Sequence, residues 1–251
     1  MLPMFFAYGW TTNPGRMAFA VLVTVSFALL ARAVRGVDRS GMVAGGAICF
    51  LLLAGAGPAA FATLVTLVLL TWLSTRFGYR RKQELGVAER RDGRSALQVL
   101  ANLAVPAFTA TTFGITGNRI WLLATAAALA EAASDTVASE VGQSRSQTAI
   151  LITDWKPVPA GTDGGITLPG TISGIIAELM IGVVALLGGM LRPGQLWIPL
   201  AAGFAGMLVD SLLGATMQRK GKQRKGKMNN EAVNLAGTMV AAALALLTLM
   251  I

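Results

Sequence analysis

Apolar residues in this chain come in long, nearly unbroken runs. The polar residues are confined to the gaps between runs or to short stripes within them. Eight runs are long enough for membrane-spanning helices: 17–34, 41–56, 58–74, 98–113, 120–139, 171–190, 196–217 and 231–250. A crossing takes about 17–25 residues, so several lie near the lower limit. Runs 41–56 and 58–74 are joined only by Gly57-Pro58, which leaves open two full spans, a short hairpin or a partly re-entrant segment; seven spans are the alternative count. The opening stretch carries Pro3, Trp10 and Pro14 and reads as an interfacial segment, 1–16, with an aromatic anchor. The expected fold class is all-α: a polytopic membrane helix bundle forming one integral-membrane domain over 1–251. Segments 75–97 and 140–170 are its longest connections.

Composition agrees, with 54% hydrophobic and 13% charged residues, against about 25% charged in soluble domains. The net charge of +9 is unevenly spread. Connections after the first, third, fifth and seventh runs hold 18 of the 21 Lys and Arg residues, and only Arg16, Arg119 and Arg192 fall on the other side. The positive-inside rule makes those connections cytoplasmic and puts both termini outside, as expected of an inner-membrane protein. The basic excess then concerns orientation and anionic lipid, and no nucleic-acid partner is expected. No cleavable signal is expected either, because the first run is long and lacks a small-residue cleavage site. The single cysteine, Cys49, excludes an internal disulfide, and the absence of histidine removes the commonest general base and transition-metal ligand. A metal here would be a hard cation such as Mg²⁺, held by oxygen.

The polar residues inside the runs gather at one depth. In "EAASDTVASEVG", Glu131, Asp135 and Ser139 fall at i, i+4 and i+8 and share a helical face, with Glu140 beside them. An ionisable residue within a membrane segment is costly and marks function by default. In "LVDSLLGATMQ", Asp210, Gly214 and Gln218 repeat that spacing. Asn230 and Asn234 lie i, i+4 in "NNEAVN", as do Gln98 and Asn102 in "QVLAN". All four stripes lie where their helices meet the basic connections, which implies a shared, hydrated site at the cytoplasmic face. A fifth element, "VPAGTDGGITLPGTISG", supplies Gly161, Thr162, Asp163, Gly164 and Gly165 before becoming the start of a helix. Exposed N–H groups beside a helix N-terminus suit an anion, although the stretch lacks the Gly-Lys-Ser/Thr ending of a Walker A loop.

Taken in order, "FGYRRKQELG", "LAEAASDTVASEVGQ", "VPAGTDGGITLPGTISG", "DSLLGATMQ" and "NNEAVN" resemble the integral-membrane family of transmembrane protein 19 and the plant phytyl-phosphate kinase. The layout is also remotely similar to the signature of dolichol and phytol kinases. It departs from that signature at Gln143, where a basic residue is usual, and at Gly161-Thr162-Asp163, where a Lys-Ser pair precedes the glycines. The resemblance implies phosphoryl transfer from a nucleoside triphosphate, CTP favoured, to a prenyl (isoprenoid) monophosphate such as phytyl phosphate, giving the diphosphate. Phosphoryl transfer needs charge neutralisation and positioning more than a strong base, so this chemistry is open to a chain without histidine.

On that reading Asp135, Asp210 and Glu131 are the candidate catalytic carboxylates. Asp135 and Asp210 hold Mg²⁺, with Glu140 as a third ligand. Asn102, Asn230, Asn234 and Ser139 contact phosphate or metal-bound water, the 161–165 turn cradles nucleotide phosphates, and Lys82 and Lys156 balance their charge. The lipid tail stays in the bilayer, and a homodimer is left open. The rival readings are an ion-coupled transporter and another Mg²⁺-dependent lipid phospho- or nucleotidyltransferase, since both also use intramembrane carboxylates.

Overall fold

A computed structural model of the chain describes residues 14–218 and 227–248. The interfacial segment expected at 1–16 falls almost wholly outside the described residues, as does most of the basic run after Gln218. Seven helices are long and apolar enough to cross a membrane. They are α1 (Pro14–Ala33), α2 (Arg39–Arg76), α4 (Ala96–Thr116), α5 (Ile120–Arg145), α6 (Leu168–Leu187), α7 (Trp197–Leu213) and α8 (Asn230–Leu247). A short helix, α3 (Tyr79–Glu84), lies between α2 and α4, and a π-helical turn, Gly214–Gln218, extends α7.

Helix α2 has 38 residues and as a straight rod would be about 57 Å long, nearly twice a hydrocarbon core of about 30 Å. It is not straight. Gly57 leaves the helical region at φ 77° and ψ −169°, a conformation open to glycine, and Pro58 cannot donate to the preceding turn. The two ends of α2 return to one place. Trp72 Nε1 and Arg76 Nη2 donate to the Val34 carbonyl at 3.3 and 2.6 Å, and Val34 lies only five residues before Arg39. In a straight helix Arg39 and Trp72 would be about 50 Å apart. The two arms, 39–56 and 58–76, are therefore antiparallel and about 27 Å long each. Their apex packs on the far half of α4, where a side chain at Gly55 would overlap the Ala110 carbonyl. One of the seven membrane-length helices thus folds back on itself at the Gly57-Pro58 joint, and the face carrying residues 34–38, 77–95 and 146–167 is termed the basic face below.

Helix α5 forms the axis of the bundle. Its apolar window is 83% buried, against 11% for α1 at the edge, and α2, α4, α6, α7 and α8 all pack on it. Small side chains make this close approach possible: Ala124, Ala126, Ala127, Ala128, Ala130 and Ala133 are fully buried.

The connection expected as a loop over 140–170 is partly ordered. Helix α5 continues to Arg145, and a small antiparallel sheet follows: β1 (Thr148–Leu151), β2 (Pro157–Pro159) and β3 (Gly165–Ile166), in the order β2-β1-β3. Its register pairs Thr148 with Pro159 and Ile150 with both Pro157 and Ile166. The sheet fixes the glycine-rich turn between β2 and β3. Within that turn Thr162 donates its N–H and its hydroxyl to the Pro159 carbonyl, at 3.2 and 2.7 Å.

Candidate functional site

Helices α5 and α7 carry the two central carboxylates. Asp135 and Asp210 lie within hydrogen-bonding range of each other. Both line a cavity of about 140 Å³ at the basic face, between α5, α6 and α7. Its walls include Ser139 and Gln143 of α5, Thr171 of α6 and Ser211 of α7, and its roof is the turn Gly161–Gly165. Gln218 and Asn230 also line it, and the Gln218 amide donates to Asn230 Oδ1 at 3.4 Å.

Local sequence explains how these parts meet. Thr167 caps α6 by accepting the Gly170 N–H at 3.1 Å, so the helix N-terminus opens beside the cavity. A Cβ at Gly170 would lie 2.5 Å from the Ala138 carbonyl, so glycine there lets α6 press onto α5. Gly164 has φ +75° and fits flush against the π-helical turn, where a Cβ would lie 2.6 Å from the Ser211 carbonyl. The glycine turn is therefore docked onto the helix that carries Asp210.

Behind the aspartate pair lie two more carboxylates. Glu131 and Glu178 are each 1% exposed. Gly206 and Gly237 leave the space that the Glu131 side chain occupies: a Cβ at Gly206 would be 2.7 Å from Glu131 Cγ, and one at Gly237 would collide with Oε1. Gly203 does the same for Glu178, whose Oε1 would lie 3.2 Å from an added Cβ. Among the described residues, the buried oxygens Glu131 Oε1 and Asp210 Oδ2 lack a hydrogen-bond partner, and Ser134 Oγ and Glu178 Oε1 have little beyond each other to satisfy them. All four belong to this one neighbourhood of α5, α6 and α7, and buried acceptors of this kind are rare without a cation, a proton or water to satisfy them.

No three His, Cys, Asp or Glu residues among those described converge as a metal cluster. Two facing carboxylates from separate helices, one with an orphan oxygen, are nonetheless the donor set that Mg²⁺ takes when phosphates and water complete its shell. Asp135 and Asp210 fit that ion.

Other residues expected in the site are placed elsewhere. Glu140 points away from the cavity. It is ion-paired with Lys82 and accepts the Thr75 hydroxyl at 3.0 Å, so it does not join Asp135 and Asp210 as a third ligand. The fully buried Lys82 also donates to the carbonyls of Ser74 and Thr75, at 3.0 and 2.7 Å. Two of its ammonium protons close the end of α2 and the third goes to Glu140 of α5, which leaves none for phosphate. Lys156 lies on the exposed β1–β2 turn, 3.2 Å from Asp154, and does not line the cavity. Asn102 and Asn234 bond across α4 and α8 at 3.5 Å, outside the cavity lining.

Sequence reasoning missed two residues. Glu178 lies ten residues into α6. It belongs to no i, i+4 stripe, but a lone carboxylate in an apolar run was a sufficient signal. Arg94 reaches α5 from the connection before α4, with Nη2 3.5 Å from the hydroxyl of Thr136, the residue next to Asp135. It is one of seven basic residues in 75–97, and nothing in the sequence distinguishes it from the other six.

A family model described as "Integral membrane protein DUF92" matches residues 22–242. The chain belongs to that family. It is similar to an uncharacterised membrane protein of Methanocaldococcus jannaschii, at 34% identity over 92% of this chain and 94% of the relative. It is also similar to two Arabidopsis thaliana proteins. Protein PGR is 30% identical over 84% of this chain and 82% of its own length. Protein VTE6, chloroplastic, is 28% identical over 85% of this chain and 66% of its own length. No solved structure matches the chain. The DUF92 match takes in α5, the glycine turn, α7 and the start of α8, so every wall of the cavity lies within the family's extent.

Proposed function

We propose that this DUF92 protein is a Mg²⁺-dependent prenyl-phosphate kinase that transfers a phosphoryl group from a nucleoside triphosphate, CTP favoured, to a phytyl or other polyprenyl monophosphate. The observation that carries this reading is the Asp135–Asp210 pair, held by two helices beside a glycine turn and a helix N-terminus. The motif resemblance to the phytyl-phosphate kinase family and the likeness to the chloroplastic protein VTE6 support it.

The acceptor is a phosphate monoester and is already anionic, so no general base is required. One of its oxygens attacks the terminal phosphorus of the nucleotide, the bond from that phosphorus to the bridging oxygen breaks, and the nucleoside diphosphate departs with the electron pair. The N–H groups of 161–165 and the first turn of α6 suit the nucleotide phosphates, and Asn230 and Ser139 offer side-chain contacts. Asp135 and Asp210 would hold Mg²⁺, which would supply neutralisation of the charge that spreads over the transferred group. The basic face would be the cytoplasmic face, by the distribution of Lys and Arg, and the prenyl tail would stay among the helices and lipid.

The test uses purified protein in detergent with Mg²⁺, each of CTP, ATP, GTP and UTP, and farnesyl, geranylgeranyl or phytyl monophosphate, with products read by mass spectrometry. The expected result is a prenyl diphosphate with at least one pair; none with any pair overturns the proposal. A second reading, an ion-coupled transporter, draws on Glu178, which lies about 15 Å along α6, near mid-membrane depth. Cation flux into protein-loaded vesicles, abolished by Glu178→Gln and accompanied by no kinase activity, would favour it.

A further inference from the structure

We propose that Arg94 is the binding residue for the phosphate head group of the lipid acceptor, beside Asp135 and outside the lining of the glycine-roofed cavity. The inference rests on the kinase reading and extends it by giving donor and acceptor separate contacts beside the aspartate pair.

The backbone at Arg94 is unusually well fixed. Its N–H donates to the Gly36 carbonyl at 3.1 Å and its carbonyl accepts the Asp38 N–H at 3.0 Å, which forms a bridge with Val37. Gly93, at φ +90°, lies so close to this bridge that a Cβ would be 2.5 Å from the Val37 nitrogen. A side chain at Gly41 would collide with the Arg94 carbonyl. Immediately afterwards Ser95 opens α4 in a capping box with Gln98, and Gln98 in turn holds Glu89 at 3.0 Å.

The guanidinium, by contrast, is poorly served. Its Nε lies 4.0 Å from Glu89, and Nη2 lies 3.5 Å from Thr136 Oγ1. Both contacts are at the outer limit of a useful interaction. A planar group with five donors, 20% exposed, is thus aimed at α5 with almost no hydrogen bonding of its own.

Lys82 shows the opposite condition, with every proton committed. Lys156 is remote and exposed. Among these three described cations Arg94 is therefore the one with donors to spare for a phosphate brought to Asp135, and the guanidinium fork matches a phosphate monoester in two-point contact. It does not line the glycine-roofed cavity, so the anion it meets is not the one under that roof. In-line displacement needs this separation, because attacking and leaving oxygens lie on opposite faces of the transferred phosphorus.

The test has a binding arm and a kinetic arm. In the first, wild-type protein without nucleotide is treated with phenylglyoxal, and arginine modification is mapped by mass spectrometry. Farnesyl monophosphate is expected to protect Arg94, whereas farnesol, which lacks the phosphate, is not. Inorganic phosphate, as the bare head group, protects only at much higher concentration. Protection equally good from farnesol, or better from Mg·CTP than from the lipid phosphate, overturns the assignment.

In the second arm, Arg94→Ala and Arg94→Lys are compared with wild type. The KM for the prenyl phosphate should rise at least about 10-fold in Arg94→Ala, less in Arg94→Lys, with the KM for nucleotide within about twofold. A rise in nucleotide KM with an unchanged acceptor KM refutes the proposal. The labelling arm needs neither mutation nor turnover. If no diphosphate forms with any substrate pair, it still decides whether Arg94 binds a lipid phosphate, separately from the kinase reading.

Discussion

Two of the three carboxylates of helix α5, Asp135 and Glu140, lie five residues apart and lead opposite lives. Five residues turn the side chains about 140° around the helix, so one faces α7 and the cavity while the other faces α2 and α3. Glu140 has a buried lysine and a hydroxyl as partners. Asp135 faces another acid, and that acid, Asp210, has an oxygen with no partner among the described residues. A charge satisfied on every side is part of the scaffold, because any ligand would have to displace partners already in place. A charge left short of partners is free to gain them from a ligand, and it is the more informative kind to find within a membrane.

This contrast makes its strongest statement about loss of function. Asp135→Asn and Asp210→Asn should each reduce turnover by at least about 10³-fold, or about 4 kcal/mol of barrier, while size-exclusion profile and helical circular dichroism stay those of the wild type. Asparagine keeps the shape and removes the charge, so a protein that fails to fold on this change would mark the pair as structural.

At the Lys82–Glu140 pair the expected pattern reverses. Lys82→Met or Glu140→Gln leaves one buried charge without its partner, a loss of about 3–5 kcal/mol, read as poor yield and a lower Tm. The protein that survives should keep its KM for nucleotide. The double change Lys82→Met with Glu140→Leu should recover much of the stability, because no stranded charge remains. If Glu140→Gln instead leaves stability intact and raises the requirement for Mg²⁺, Glu140 is a metal ligand after all.

A smaller effect is expected at Gly164. Alanine there must take φ +75°, which costs about 1–2 kcal/mol, and its Cβ meets the Ser211 carbonyl. The turn should lift away from the α7 extension. The expected result is a KM for nucleotide raised about 10-fold with a kcat changed less, measured beside an unchanged acceptor KM.

The parts of this picture that the sequence carried are those with a repeating physical signature. Runs of apolar residues gave the membrane-length helices and marked the Gly57-Pro58 joint within one of them, because length and hydropathy are what a bilayer requires. The i, i+4 spacing of Glu131, Asp135 and Ser139 put them on one helical face, and Asp210 stood out as an acid within an apolar run.

What escaped was non-periodic. Strands of four, three and two residues are too short to show alternation. The fate of Lys82 depends on where three carbonyl or carboxylate oxygens from two distant segments meet, which no local pattern records. Arg94 differs from its basic neighbours only because residues 36–41, more than fifty positions earlier, clamp its backbone. The central position of α5 is also hidden, since alanine makes it one of the least hydrophobic spans while letting five others reach it.

The mildest prediction concerns Asn102 and Asn234, whose bond joins α4 to α8 at 3.5 Å. Asn102 is buried and already donates to the Gln98 carbonyl at 2.9 Å, so the interhelical bond is a long one made with what remains of its capacity. Such bonds within membranes average about 0.6 kcal/mol. Asn234→Ala should therefore lower Tm by only about 1–3 °C for a chain of this size, and a double change with Asn102→Ala should be less than additive, as for any pair that shares one contact. Kinetics separate glue from chemistry. If the pair only ties the helices, KM for both substrates stays within about twofold, but if Asn234 also meets the acceptor phosphate, its loss should raise the prenyl-phosphate KM. Combining Asn234→Ala with Arg94→Ala would then give coupled, non-additive effects on that KM, whereas simple additivity would confine the acceptor subsite to Arg94.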